Sequence, residues 1–183
     1  MVLELGPTAR ITLALGLMIA LQTILVRLPY LGFVFEYVDL VLILTVFVGI
    51  QPRVLRAALV GMTGGLLQDL LWGVLYGASG FTKMLIGYTL AVVSVKFSLD
   101  SKITRLLVLP LSSVTNTGLF AFFLYFFSIL PPETTFRDIV RIGMFALLGN
   151  TVAGVVLFPL GDRWLGKWIA VRSTDEPLAP RAF

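Results

Sequence analysis

The chain has 183 residues, 58% of them hydrophobic and 13% charged, with a net charge of +4 and a mean hydropathy of +0.98. A water-soluble domain of this size cannot hide so much apolar surface, because about a quarter of a typical globular chain is charged. Cysteine and histidine are both absent, which excludes disulfides, thiolate metal sites and the commonest general base.

Long apolar runs recur along nearly the whole sequence, and they predict an all-α, polytopic bundle of six transmembrane helices. The bundle is expected over residues 1–172. A disordered cytoplasmic tail, rich in charge and proline, is expected at 173–183. No set of residues has the spacing of a metal or cofactor site. The basic balance reads as cationic loops on the cytoplasmic side rather than as a nucleic-acid surface, because no aromatic-interleaved basic patch accompanies it.

The first span covers about 11–29. It lacks a small-residue cleavage site downstream, so it is expected to be a retained helix rather than a removed signal peptide. The second, about 37–50, is short and stops at Gln51-Pro52. Asp39 opens it, where a carboxylate satisfies free N–H groups and complements the helix dipole.

The third span, about 55–74, carries Ala57, Gly61, Gly65, Asp69, Gly73 and Gly77 at every fourth position. Small residues at this spacing let two helix backbones approach closely. The stripe drifts around the helix by roughly 40° per step, so one straight partner cannot cover all of it. Packing inside the bundle and contact with an external partner are both open. Asp69 interrupts the stripe with a charge that costs roughly 2.5 to 3.5 kcal/mol at membrane depth and therefore needs a partner. Lys83, at similar depth on the next helix, is the expected one.

Between these helices lies "LYGASGFTK". Its Gly77-Ala78-Ser79-Gly80 has the shape that presents a nucleophilic serine in rhomboid-type proteases. Such a serine needs a base, and there is no histidine. Lys83 follows Ser79 by one helical turn, but the glycines place Ser79 in a bend, and a nearby Asp69 favours the charged ammonium, which is no base. The stretch is read as a tight turn, and the protein as no enzyme.

The fourth span covers 81–97, the fifth 105–130 and the sixth 140–161, with Pro131-Pro132 between the last two. Asn116 and Asn150 fall near the middles of the fifth and sixth and are expected to share an interhelical amide bond. Beyond them, "DRWLGKWIAVR" sets Trp164 and Trp168 on one face with Arg163, Lys167 and Arg172 within reach of headgroups. This is the pattern of an interfacial anchor, or else of a docking helix for a cytosolic partner. Ten of the 14 Lys and Arg residues fall on the side of the N-terminus, leaving Arg27, Lys83, Arg137 and Arg141 opposite. That asymmetry puts both termini in the cytoplasm.

The stretches "VDLVLILTVFVGI" and "GMTGGLLQDLLWGVLYGASGFTKMLIGY" together resemble the MreD family, integral membrane components of the bacterial rod-shape system. Asp39, Gly61, Gly65, Asp69, Gly73, Gly77, Gly87 and Tyr88 take the places of the family's motif. Val38 stands where the family often has proline, and Lys83 where a small or apolar residue is usual. The resemblance covers about 50 residues, the rest matching only in length and topology. It implies a non-catalytic scaffold of the bacterial inner membrane, without cofactor. Its implied partners are MreC, RodA with its class B penicillin-binding protein, membrane lipid and, indirectly, MreB. The family's fold is similar to the substrate-capture subunits of energy-coupling-factor vitamin transporters. Gly16 and Ala20 are a small-residue face of the kind those subunits use for docking, so capture of a small molecule is the alternative expectation.

Overall fold

A computed structural model describes residues 6–29, 32–73, 75–97, 99 and 101–166, and among these it is all-helical, with no strand. The elements are α1 (Pro7–Val26), α2 (Gly32–Phe35), α3 (Leu40–Gly49), α4 (Val54–Trp72), α5 (Ala78–Lys96), α6 (Lys102–Phe126) and α7 (Phe136–Gly161). A wider, π-type turn at Asp162–Gly166 continues α7. Five of the helices, α1, α4, α5, α6 and α7, are long and apolar enough to cross a membrane. The predicted disordered tail, and the predicted anchor beyond Gly166, lie outside the described residues. Trp164 is described and is exposed.

Helix α3 sits at the centre. It is apolar around its whole circumference, with Thr45 the one hydroxyl, and each of its ten residues is buried. A helix with no polar face has to be surrounded, and α1, α4, α5, α6 and α7 all pack on it. Val41, Leu42, Val46 and Val48 form the heart of the resulting apolar core. Thr45 turns its hydroxyl back to the Val41 carbonyl, 2.8 Å away, so it presents no free polar atom to its neighbours.

Several helices begin earlier than hydropathy predicts. The expected starts at 105 and 140 move to Lys102 and Phe136. The cause is capping: Ser101 Oγ accepts the Thr104 N–H at 3.1 Å, and Thr135 forms a reciprocal capping box with Asp138. These side chains satisfy N–H groups that the helix cannot satisfy itself, so the helix extends beyond its apolar run. Pro7 likewise starts α1 at a position where its missing N–H is no loss. The start expected at 81 moves to Ala78, with consequences for Ser79 taken up below.

Candidate functional site: a polar hub at the start of the central helix

Ten residues of α-helix reach only about 15 Å, half of the roughly 30 Å hydrocarbon core of a bilayer. Helix α3 therefore begins inside the bundle, where its unsatisfied N–H groups need protein partners. Three neighbours supply them. Asn150 Oδ1 on α7 accepts the Asp39 N–H at 2.7 Å. Gln22 Oε1 on α1 accepts the Leu40 N–H at 3.2 Å. The Asp39 carboxylate itself accepts the Leu42 N–H at 2.9 Å, the cap expected from sequence.

The same carboxylate gathers two further helices. Lys83 Nζ on α5 pairs with Asp39 Oδ2 at 2.8 Å, with the lysine side chain 3% exposed and the aspartate 20%. Gln68 Nε2 on α4 donates to Asp39 Oδ1 at 3.0 Å and to Gln22 Oε1 at 3.2 Å. Asn150 Nδ2 then donates to Ser113 Oγ on α6 at 2.7 Å. One network thus joins α1, α3, α4, α5, α6 and α7.

This corrects the expected pair between Asp69 and Lys83. Asp69, 2% exposed, turns instead to the chain reversal after its own helix. Its Oδ2 accepts the N–H groups of Gly77, Ser79 and Gly80 at 2.9, 3.1 and 3.3 Å. Those donors are the first turn of α5, the positive end of its dipole, where a carboxylate is well placed. With Asp69 so engaged, the long lysine side chain reaches the carboxylate at the start of α3.

The expected bond between Asn116 and Asn150 is also replaced. Both ends of the Asn150 amide are occupied by Asp39 and Ser113, and Asn116 Oδ1 is buried without a partner. Ser79 differs from expectation in another way. It belongs to the first turn of α5 rather than to a bend, so it does lie one helical turn from Lys83. The ammonium, however, is directed to Asp39, and no hydrogen bond joins the two side chains.

The small-residue stripe faces α5. A Cβ on Gly61 would strike the Lys83 carbonyl, and one on Gly65 would strike the backbone at Ser79 and Gly80. From the other side, a Cβ on Gly87 would lie 2.6 Å from the carbonyl oxygen of Ala57, itself fully buried. Backbone meets backbone along this seam, and no room is left there for an external helix. Gly73 ends α4, its N–H bonded to the Asp69 carbonyl at 2.8 Å. Gly77 takes a left-handed φ of 91°, a conformation glycine adopts without strain. Gly64, outside the four-residue stripe, gives α3 its approach to α4, since a Cβ there would meet the Val41 side chain at 2.5 Å.

Sequence reasoning missed Gln22, Gln68 and Ser113. The two glutamines had a readable signal, because an amide inside an apolar span is costly unless paired. Ser113 had none, since serine commonly bonds within its own helix. Beside the hub lies a cavity of about 470 Å³ between α1, α4, α5, α6, α7 and the segment before α3, and Asp39, Gln68 and Lys83 form part of its wall. Among the described residues no group of three acidic, histidine or cysteine side chains is placed to hold a metal ion.

Comparison of the chain with protein-family models, with curated proteins and with solved structures finds no significant match.

Proposed function

We propose that the protein is a non-enzymatic scaffold of the bacterial inner membrane, of the MreD type, acting in the cell-elongation complex with MreC and the RodA–penicillin-binding protein synthase. The observation that carries this reading is where the motif residues fall. Asp39 joins the hub, Asp69 caps α5, and Ala57, Gly61, Gly65 and Gly87 form the seam between α4 and α5. Both carboxylates of the motif position a helix, which suits a protein whose product is a shaped surface.

In this reading α3 and its flanking residues make the second of six crossings, and both termini face the cytoplasm. A reporter enzyme active only outside the cytoplasm, fused after Trp72 and after residue 183, should be active at the first site and silent at the second. Contact with MreC falls on lipid-facing residues such as Leu59, Met62 and Leu70, which are exposed, because the glycine face is covered by α5. Photo-crosslinkers at those positions should trap MreC. Depletion in a rod-shaped host should give round cells, and rods after full depletion would refute the assignment.

The polar cavity favours a second reading, a small-molecule capture subunit related in fold to those of energy-coupling-factor transporters. That reading requires uptake of a vitamin into vesicles when an ATPase module is supplied, and unchanged cell shape on depletion.

A further inference from the structure

The amide of Gln68 has one permitted orientation. Its Nε2 donates to a carboxylate oxygen of Asp39 and to the Gln22 carbonyl oxygen, and turning the amide over would set oxygen against oxygen. Gln68 Oε1 is thereby fixed as an acceptor, on a side chain 7% exposed, and it has no donor. Asn116, a second residue of the cavity wall, also has a buried amide atom without a partner, its Oδ1, and with no bond to fix the amide it is free to turn either end to a ligand. A buried acceptor without a partner costs about 1 to 3 kcal/mol, and the Gln68 oxygen marks a place where a donor is expected to arrive.

Charge selects the kind of donor. Glu36, Asp39, Asp69 and Lys83 all belong to the cavity lining, three carboxylates and one ammonium, and the ammonium is paired with Asp39. The two helix N-termini that point here, of α3 and α5, already hold Asp39 and Asp69. An incoming anion would therefore find no free positive dipole and an excess of acceptors. Tyr37, Trp72 and Phe120 add three aromatic side chains to the wall, and aromatic rings attract cations electrostatically through their faces. The volume of about 470 Å³ is within the range of small-molecule sites.

We propose that this cavity binds a small cation rich in hydrogen-bond donors, a guanidinium- or ammonium-bearing molecule, which supplies the N–H groups that Gln68 and Asn116 lack. The site does not depend on the scaffold reading, and it is tested by binding alone rather than by cell shape.

The test uses the full chain in nanodiscs and two probes of similar length, agmatine and adipate. Agmatine should bind saturably by calorimetry and raise the unfolding temperature, and adipate should do neither. Asn116→Leu, at a half-buried side chain whose oxygen has no partner, should leave the ligand-free unfolding temperature at or above the wild-type value while weakening agmatine about tenfold. Gln68→Met should weaken it at least as much; if that variant fails to fold, Asn116→Leu decides alone. Equal binding of adipate, no saturation by about 10 mM, or undiminished affinity in Asn116→Leu would each overturn the site.

Discussion

The centre of the molecule and its α6–α7 hairpin are built on different principles. Around α3, α4 and α5, glycine backbones touch, and Asp39, Gln68, Asp69 and Lys83 each bond to another helix, while the hydroxyls of Thr45, Thr63, Thr82 and Ser94 stay within their own. In α6 and α7, large apolar side chains such as Leu107, Leu111, Phe122, Met144 and Val152 point outward. There the hydroxyls of Ser112, Thr115 and Thr151 bond back to their own helices. Asn150 joins the hairpin to the hub through Asp39 and its two helices to each other through Ser113, and Arg105 pairs with Asp162 at 2.6 Å near the opposite end. The contrast teaches where stability and contact surface reside. In lipid, apolar side chains gain nothing by choosing a helix over a lipid tail, so close packing and polar bonds decide which helices stay together.

Four substitutions break or sharpen that contrast, and each is read as thermal unfolding in a defined detergent. Asp69→Ala strands three N–H groups in a partly buried turn, and a loss of about 4.5 kcal/mol is expected, from the lower end of the roughly 1.5 to 3 kcal/mol that a bond to a charged group contributes. A variant that unfolds like wild type would show that α5 starts without its carboxylate cap. Gly65→Val drives a side chain into the backbone at Ser79 and Gly80. About 3 kcal/mol should follow from overpacking where neither backbone can yield.

Lys83→Met leaves the Asp39 carboxylate without its ammonium, and about 2 kcal/mol is expected, below the usual cost for a fully buried pair because Asp39 is partly open to the cavity. The double variant sharpens this. Asp39→Asn should recover part of the loss in Lys83→Met, and Asp69→Asn should recover none; the opposite pattern would restore the pairing expected from sequence. At the hairpin, Asp162→Asn should cost no more than about 0.5 kcal/mol, since its ion pair is exposed and such pairs contribute little.

Much of the helical layout was readable because burial and hydropathy act locally. Leu40–Gly49 has no polar face and so could only be central. The starts of α6 and α7 were also present in the sequence, as Ser101 with Thr104 and Thr135 with Asp138, but apolar runs alone place helix ends too late. The hub was less legible. Asp39 as a cap follows from its position before an apolar run, whereas Gln22 and Gln68 reach it from helices distant in the chain. The small-residue stripe announced close packing without saying against what, and α5 of the same chain fills that face.

By itself, then, the sequence determined that the chain is helical, apolar enough to cross a membrane several times, and furnished with a glycine seam beside one buried carboxylate. Local spacing and hydropathy suffice for each of these. Only the tertiary structure decided which charge meets which. Asp69 is closer to Lys83 in the chain than Asp39 is, yet three N–H groups at the start of α5 occupy it, and the lysine closes on the cap of the central helix instead. Partner choice among buried charges depends on depth, on direction and on what each group has already satisfied, and those are properties of the folded bundle.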